Sequence, residues 1–463
     1  MNSTFQPLDA RRWWVLYLVA AATFLPAIGF HYVGEEAIFP ISSLEMWYHG
    51  EWVKQVFYGG NLKHNPLYNW LIIPLASAAG WEHMLGVARA ITIAATVGCG
   101  GALAWLCRIL YRDNTFAALI YLTLADVFFY RGWLAYADPL FAFFVFGAIA
   151  CLWVACERRS AGMLAFAVAA LTCAFMTKAM TAYAFYGAAA LVLITRRDYR
   201  RFLLGKSSWV AHFSAAALPV AWLYYLPDNA GQGERMLTEI VVKLVPENLA
   251  DYALKIVVYP LDTAARLAPA LFIAAYYAWR SRAAVLRNDD DRFRVALWIL
   301  LLGYLPYWLA PQSAARYLMP LYPLAGLVIA RVLWNLDVRT MSVTRNWLVA
   351  AVVMKLVLVL AVFPYYQDRY RGRNFETAAV DIQRRAVGHP LYTLADNASG
   401  LSVTAHLDTL RLPAPPLTVP PADWDSGFVV AHKPDATLGQ ITAEYKLGGN
   451  TIYLVCRGSA CAQ

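Results

Sequence analysis

The sequence predicts an all-α polytopic membrane protein with a small soluble domain at its C-terminal end. Of its 463 residues, 60% are hydrophobic and only 15% are charged, whereas soluble domains carry about 25% charged residues. Many apolar runs are long enough to cross a bilayer, which takes about 20 residues. The net charge of +9 fits the basic cytoplasmic loops of such a protein, so no nucleic acid partner is expected.

The first apolar run predicts a membrane anchor at about 13–30. Arg11 and Arg12 precede it, and it lacks a small-residue cleavage site, so we expect an uncleaved helix with a cytoplasmic N-terminus. The first outer loop then covers 31–82. Its run 36–48 has only a partial apolar stripe, which favours a helix lying along the interface. The apolar run 66–79 is short, so we expect an interfacial or re-entrant helix that does not cross.

The remaining apolar runs predict about eleven crossings in all, beginning inside and ending outside. The further spans are expected at about 83–107, 115–130, 138–155, 162–177, 180–195, 208–226, 262–279, 295–309, 314–333 and 346–364. Arginines concentrate in the predicted inner loops, for example between Arg196 and Arg201, as the positive-inside rule requires. If 66–79 crossed as well, every later loop would change sides and this bias would invert. The pattern predicts a multi-pass membrane protein with its N-terminus on the inner side.

Two soluble parts are expected on the outer side of this membrane domain, which covers 1–364. The outer loop 227–261 contains apolar residues at helical spacing, which predict a surface helix that serves either as a lid or for packing. Residues 365–463 are polar and proline-rich, and they predict a small mixed α/β domain on the outer side.

Two short strands are expected in this domain, at 427–431 and 451–456. Cys456 and Cys461 lie close together in an oxidising compartment, so a local disulfide is one interpretation; free thiols or a metal site are the others.

Ionisable residues from distant parts of the chain map to one face, the outer one, in this topology. Carboxylates there can act as a general base or hold a metal, and cations suit a phosphate. Each residue alone has a structural explanation: Asp138 precedes Pro139 as at many helix N-termini, and Lys178 or Arg316 can extend to the interface. Together they predict a site. Its members are Glu35, Glu36, Lys63, His64, Arg131, Asp138, Lys178 and Arg316.

Five short motifs, in order along residues 12–365, resemble those of the GT-C superfamily of membrane glycosyltransferases, which use polyprenyl-phosphate sugars. The most similar members are the lipid A aminoarabinose transferases and the protein O-mannosyltransferases. The acidic pair of that family (Asp-Glu-Ala-Arg-Tyr) corresponds here to Glu35–Phe39, and its proline signature corresponds to His64–Trp70. Its second acid corresponds to Asp138, and its Lys-Gly turn to Lys178-Ala179. Its late Arg-Tyr run corresponds to Arg316–Pro323.

The chain departs from this pattern at three places. The first acid is Glu35 where the family has Asp, so its carboxylate reaches one methylene further. Ile38 replaces an arginine, which removes one expected phosphate contact. Lys63-His64 stands where relatives have Glu-Lys. A changed donor sugar or acceptor would be consistent with these differences.

The resemblance implies inverting transfer of a monosaccharide from polyprenyl (undecaprenyl) phosphate to lipid A or another envelope glycolipid or glycan. Glu35, rather than Asp138, is the expected base, and Asp138 would position the acceptor or help Glu35 hold a divalent metal, if there is one. Lys63, His64, Lys178 and Arg316 would bind the donor phosphate. Further substrate contacts are expected from Glu36, Tyr68, Arg131 and Tyr317. The resemblance also implies a bacterial inner membrane, with the active site and the C-terminal domain on the periplasmic side. A monomer is expected.

Three alternatives remain open from the sequence. A protein O-mannosyltransferase-like enzyme would use a Ser or Thr of a secreted protein as its acceptor. A secondary transporter would have ionisable residues at mid-membrane and paired halves, whereas most of these residues fall at outer helix ends and no repeat is visible. A non-catalytic scaffold would tolerate the loss of both acids.

Overall fold

A computed structural model describes most of the chain, and its packing divides it into two compact units. The described residues are 10–62, 64–111, 115–178, 180–225, 234, 238, 241–280, 290–334, 338–370, 372–435 and 437–462. Unit 1 comprises Met1–Leu25, Thr92–Trp133 and Ala137–Leu356, and unit 2 comprises Pro26–Ile91, Leu134–Tyr136 and Val357–Gln463.

Most of the described chain is helical. In chain order the α-helices are α1 (Ala10–Ala22), α2 (Ile38–His49), α3 (Leu67–Ala79), α4 (Met84–Tyr111), α5 (Phe116–Leu122), α6 (Ala137–Arg158), α7 (Ala161–Thr177), α8 (Thr181–Ile194), α9 (Arg197–Leu203), α10 (Lys206–Tyr225), α11 (Leu249–Arg266), α12 (Ala270–Arg280), α13 (Asp291–Leu309), α14 (Tyr322–Trp334), α15 (Val338–Val357), α16 (Phe363–Tyr370), α17 (Gly372–Arg385) and α18 (Ala398–Arg411).

The chain is a multi-pass membrane protein. Within the described residues, four helical stretches are long and apolar enough to cross a bilayer: Trp81–Tyr111, Ala137–Arg158, Ala315–Trp334 and Met341–Gln367. The helices α11 and α12 qualify as a pair but meet at an angle of 99°. Shorter apolar helices occur at Trp13–Gly29, Leu67–Ala79, Ala161–Thr177 and Thr181–Ile194. The expected total of about eleven crossings and the side of each loop stay predictions.

Unit 1 is built from apolar helices packed side by side. The helices α6 and α7 form an antiparallel hairpin whose turn ends at Ser160, and the Ser160 hydroxyl caps α7 by accepting a hydrogen bond from Met163 N at 3.3 Å. Gly326 of α14 lies against the backbone of Tyr121 in α5, where an added Cβ would come within 3.2 Å of backbone atoms. Close packing of α5 and α14 therefore depends on this glycine.

Two predicted spans of unit 1 differ from the structure. The run 115–130 forms the short helix α5 and then a separate π-helical turn, Asp126–Arg131, because the buried Asp126 is held by side chains of other helices. The run 262–279 bends at Pro269, whose missing N–H cannot continue a helical ladder. The two breaks meet, since Ala125 N donates to Ala268 O at 2.8 Å.

The first loop of the chain, residues 31–82, belongs to unit 2 and contains the two expected helices, α2 and α3. With 13 residues, α3 is about 20 Å long at 1.5 Å per residue, which is shorter than the roughly 30 Å of a bilayer core. Between the helices lies a β-hairpin that the sequence did not predict. Its strands are β1 (Val56–Phe57) and β2 (Gly60–Asn61), paired antiparallel.

The C-terminal residues form the predicted small α/β domain. Its strands are β3 (Leu391–Thr393), β4 (Gly427–Ala431), β5 (Gln440–Leu447) and β6 (Asn450–Arg457), in the order β3-β4-β6-β5, with β3 and β4 parallel and the other pairs antiparallel. The helices α17 and α18 cover the sheet through a core that includes Phe375, Ile382, Leu407, Phe428 and Leu454. Cys456 and Cys461 form a disulfide.

Packing groups the C-terminal domain with the first loop. Unit 2 contains both, although about 280 residues separate them in sequence. The expected division into a membrane domain, 1–364, and a periplasmic domain, 365–463, follows the chain and stays a prediction.

Candidate functional site

Asp138 is the centre of a charged cluster in unit 1. It lies in the first turn of α6, where its carboxylate binds Lys178 Nζ and lies 4.0 Å from the Arg131 guanidinium. Lys178 follows the last residue of α7, so the α6–α7 hairpin brings the two residues together. The Asp138 and Lys178 side chains are only 15% and 19% exposed, which shields the pair from water.

Tyr317 collects three cations around its ring. Lys178 Nζ, Lys243 Nζ and Arg316 Cζ lie 5.1, 5.4 and 5.2 Å from the ring centroid, within the range of a cation–π contact. Arg316 also donates to the Tyr317 hydroxyl at 3.4 Å. Asp138 is the carboxylate that binds Lys178. A group of three cations of this kind suits a bound phosphate.

A second buried acid, Asp126, extends this cluster. It accepts hydrogen bonds from Arg266 at 3.0 Å and from the Tyr322 hydroxyl at 2.9 Å, and Arg131 lies 3.6 Å away. Arg131 therefore lies between the two acids, Asp126 and Asp138. The sequence analysis missed Asp126 and Arg266. The signal was there, because an acid within an apolar segment is costly unless it is paired.

In unit 2 the two adjacent acids, Glu35 and Glu36, have opposite environments. Gly34 begins the turn that carries them with φ +63°, a left-handed conformation that favours glycine, and an added Cβ would come 2.9 Å from the Tyr136 hydroxyl. The Glu35 side chain is exposed. Its backbone N–H donates to the Tyr136 hydroxyl at 3.2 Å. Among the described residues no hydrogen bond or ion pair is made by its carboxylate, which remains available for chemistry.

Glu36 instead forms a fully buried ion pair with Arg89 of α4, and both side chains are 0% exposed. Arg89 Nε donates to Glu36 Oε1 at 2.9 Å and Arg89 Nη2 to Glu36 Oε2 at 2.5 Å. The same carboxylate accepts from Val33 N at 2.8 Å and from Ala135 N at 2.6 Å. Every oxygen of Glu36 is therefore engaged, which favours a structural role over substrate contact.

Arg89 also holds the backbone of the chain segment before the acids. Its Nη1 donates to Ala27 O at 2.9 Å and binds Phe30 O, and its Nη2 donates to His31 O at 2.8 Å. The sequence analysis did not select Arg89. An arginine inside the predicted span 83–107 was the available signal.

The proline signature of the first loop has a largely structural setting. Tyr68 is fully buried and donates to Ala88 O at 2.9 Å. His64 stacks on Phe39 with ring centroids 6.2 Å apart. Lys63 lies outside the described residues, so its predicted phosphate contact stays a prediction.

A divalent metal fits poorly at Asp138. Its carboxylate faces Lys178 and Arg131, and their positive charges oppose a cation there. Among the residues that the structure describes, there is no cluster of three or more His, Cys, Asp or Glu side chains arranged to hold a metal ion. Metal binding by Glu35 and Asp138 therefore gains no support from this geometry.

A half-open cavity of about 470 Å³ also lies in unit 2. The imidazoles of His31, His83 and His406 and the carboxylate of Glu82 line it, between otherwise mostly apolar walls that include Phe30. Cavities of roughly 300–1,000 Å³ with a few convergent polar groups are typical of small-molecule sites. This part of unit 2 can hold a ligand group of modest size.

The predicted site residues thus fall into two groups. Unit 1 brings together Arg131, Asp138, Lys178, Arg316 and Tyr317. Unit 2 contains Glu35, Glu36, His64 and Tyr68, of which Glu36 and Tyr68 are buried. The roles assigned to all of these residues stay predictions.

Comparisons with known proteins agree on the fold. No protein-family model and no curated protein sequence matches the chain. Among solved structures, it is similar to ArnT from Cupriavidus metallidurans bound to undecaprenyl phosphate, with a TM-score of 0.67 and 16% identity over 97% of this chain and 98% of that chain. The apo state of the same protein gives a TM-score of 0.68 and 16% identity over 96% and 97% of the two chains.

A second solved structure has the same architecture over part of its length. The archaeal oligosaccharyltransferase AglB from Archaeoglobus fulgidus, in complex with an inhibitory peptide and a dolichol-phosphate, gives a TM-score of 0.51 and 10% identity over 86% of this chain and 64% of that chain. At these identities the likeness shows the fold. The chain therefore has the GT-C fold that its motifs predicted.

Proposed function

We propose that the chain is an integral membrane glycosyltransferase that moves a monosaccharide from polyprenyl phosphate to an envelope acceptor. The expected donor is an undecaprenyl-phosphate sugar, and the expected acceptor is lipid A or another glycolipid or glycan. The reaction takes place on the periplasmic side of a bacterial inner membrane, with the N-terminus in the cytoplasm. The short, arginine-rich inner loops support this orientation.

The observation that carries the proposal is the cation cluster around Tyr317. Lys178, Lys243 and Arg316 each lie within 5.4 Å of this ring, and Lys178 is only 19% exposed. Transfer of the sugar leaves a lipid phosphate whose negative charge grows as the glycosidic bond breaks. Cations held in place before the reaction stabilise that charge without reorganising. The fold, shared with a structure that contains undecaprenyl phosphate, is consistent with this use.

The two predicted acids, Asp138 of unit 1 and Glu35 of unit 2, are expected to differ in role. Asp138 is bound by Lys178 and close to Arg131, so its carboxylate is already engaged and holds the cations in position. Glu35 is exposed and is the better candidate to take the proton from the acceptor hydroxyl. The acceptor oxygen then attacks the anomeric carbon, and the carrier phosphate leaves with inversion.

Replacing Lys178 with methionine should reduce kcat/KM for the donor by about 100-fold or more, the range seen when one preorganised charge-stabilising group is removed. The side chain keeps its length and loses its charge, while Arg131 remains beside Asp138. The measurement is the initial rate of sugar transfer against donor concentration in detergent micelles.

The matched control is Lys433→Met, because Lys433 is an exposed lysine of the C-terminal domain. It should keep the wild-type rate. A Lys178→Met protein that is folded and has wild-type donor kinetics would contradict the assignment of this cluster to the donor phosphate.

A further inference from the structure

The half-open cavity of unit 2 is enclosed by three stretches of the chain. They are the segment 28–32, residues between 82 and 90 at the start of α4, and residues between 405 and 409 of α18. All three belong to unit 2. The walls are mostly apolar, and the volume of about 470 Å³ lies in the range of small-molecule sites. The few polar groups on these walls therefore decide what the cavity can bind.

His406 brings a polar atom without a partner to the wall of this cavity. Its Nε2 is buried and, within the part of the chain that the structure describes, makes no hydrogen bond. Burial lowers the pKa of His406; Glu376 opposes the shift, and His31 adds to it. The imidazole is therefore neutral at neutral pH and offers one donor and one acceptor. A buried polar atom without a partner is destabilising, so a ligand that hydrogen-bonds His406 would remove this cost.

His31 and His406 are both held in place at this wall. The N–H of His31 donates to Gln367 Oε1 at 3.0 Å, and its carbonyl accepts from Gln367 Nε2 at 3.1 Å and from Arg89 Nη2 at 2.8 Å. The ring of Tyr32 packs edge-on against that of His406, with centroids 5.5 Å apart. The two imidazoles are thus fixed before a ligand enters, which reduces the entropy lost on binding.

The charges of the lining residues favour hydroxyl groups over a phosphate. None of the described residues that line the cavity is a lysine or an arginine. Glu82 and His83 are 71% and 67% exposed, so they lie at its open side, and the Glu82 carboxylate would repel an anion. Hydroxyl groups both donate and accept, which matches neutral imidazoles and a carboxylate. A sugar ring combines such hydroxyls with apolar C–H groups that suit the remaining walls.

The cavity also lies close to the expected base. Arg89 binds the carbonyls of Phe30 and His31, two residues of the cavity wall, and pairs with Glu36 through its other donors. Glu35 precedes Glu36 and is four residues beyond His31, so the Cα atoms of Glu35 and His31 are at most about 14 Å apart. A ligand in the cavity therefore has its neighbouring groups within reach of the Glu35 carboxylate.

We propose that this cavity is a subsite for the acceptor, which binds a sugar ring that does not itself react, and that His31, His406 and Glu82 hydrogen-bond the hydroxyls of this ring. The proposal rests on the proposed function. It commits the acceptor to a glycolipid or glycan, because a Ser or Thr of a secreted protein would leave these groups without a partner.

Gly29 offers a way to fill the cavity. It lines the cavity, and an added Cβ would meet no described atom within 4 Å. Gly101 of α4 is the matched control, since its surroundings are equally open and it belongs to unit 1. Gly29→Phe should raise acceptor KM by about 10-fold or more, the lower end of what a change in pocket size produces. It should leave donor KM unchanged, and Gly101→Phe should change neither.

His406→Leu tests the polar contact separately from the volume. It should raise acceptor KM by about 3- to 10-fold, the effect of one lost neutral hydrogen bond. Stability should be unchanged, because Nε2 has no partner among the described residues. His406→Gln, which keeps a donor and an acceptor, should recover part of the loss. A purely structural role of His406 would instead change stability and leave acceptor KM alone.

Binding is also measured without catalysis, by saturation-transfer NMR on the full chain in a detergent that has no sugar headgroup. The probes are N-acetylglucosamine, glucose and galactose, with inorganic phosphate as the competitor. We expect at least one sugar to bind the wild type and Gly101→Phe, to resist displacement by phosphate, and to lose its signal in Gly29→Phe. No signal from any of the three sugars, an equal signal in Gly29→Phe, or displacement by phosphate would overturn the sugar subsite.

The two kinds of failure can be told apart. Wild-type acceptor KM in folded Gly29→Phe and His406→Leu proteins, beside an active wild type, would overturn the acceptor role of the cavity alone. A wild type that binds a sugar in the cavity but transfers none from any polyprenyl-phosphate donor would overturn the proposed function, and the acceptor role with it.

Discussion

Replacing Arg89 with methionine should lower the free energy of unfolding of the chain by about 3–5 kcal/mol, the cost of breaking a buried ion pair by removing one partner. The substitution leaves the Glu36 carboxylate buried, with two backbone N–H groups but no cation. It also removes the donors to the carbonyls of Ala27, Phe30 and His31. The measurement is equilibrium unfolding in mixed detergent micelles.

The double variant Glu36→Gln/Arg89→Met separates the charge from the packing. It removes both charges, so its loss in free energy of unfolding should be smaller than the sum of the losses in the two single variants. The difference is the coupling energy of the pair. Arg266→Met is a useful comparison, since Arg266 also binds a buried acid, Asp126, but is 24% exposed. An Arg89→Met protein within about 1 kcal/mol of wild type would contradict the importance of this pair.

Glu35→Gln should reduce the rate of sugar transfer by at least about 100-fold, the scale of removing a general base, and should leave stability unchanged. The carboxylate is exposed, and only its backbone N–H is anchored, to the Tyr136 hydroxyl. Loss of the charge therefore breaks no packing. The measurement is the single-turnover rate at saturating donor, with unfolding measured on the same preparation.

Glu444→Gln is the matched control, because Glu444 is an exposed acid of unit 2 that lies on strand β5, and it should keep full activity. Asp138→Asn offers a contrast: it weakens the hold on Lys178 and Arg131, so it should raise donor KM as well as lower the rate. A Glu35→Gln protein with full activity would contradict the choice of base.

The sequence was sufficient for the fold class and for much of the unit 1 cluster. Asp138, Lys178 and Arg316 could be selected because charged residues at the ends of apolar runs are conspicuous. The strands near 427–431 and 451–456 could be predicted because each is a short run rich in β-branched and aromatic residues. Both signals are local, which is why they could be read.

Long-range contacts explain what the sequence did not reveal. Glu35 and Glu36 are chemically alike and adjacent, and only the position of Arg89, 53 residues away from Glu36, makes one of them structural. The hairpin at Tyr58 is short, and its partner Ala395 is 337 residues distant. The break at Asp126 depends on Arg266, 140 residues further on. The hydrophobic periodicity of one segment does not indicate which distant residues contact it in the fold.

Sugar transfer itself is the measurement that tests the central claim most directly. Purified protein is incubated with a radiolabelled undecaprenyl-phosphate sugar and a bacterial envelope lipid extract, for the wild type, Glu35→Gln and Lys178→Met. The account predicts labelled glycolipid from the wild type and a loss of at least about 100-fold in both variants. Absence of transfer from every polyprenyl-phosphate sugar offered, by a wild-type protein that is folded, would contradict it.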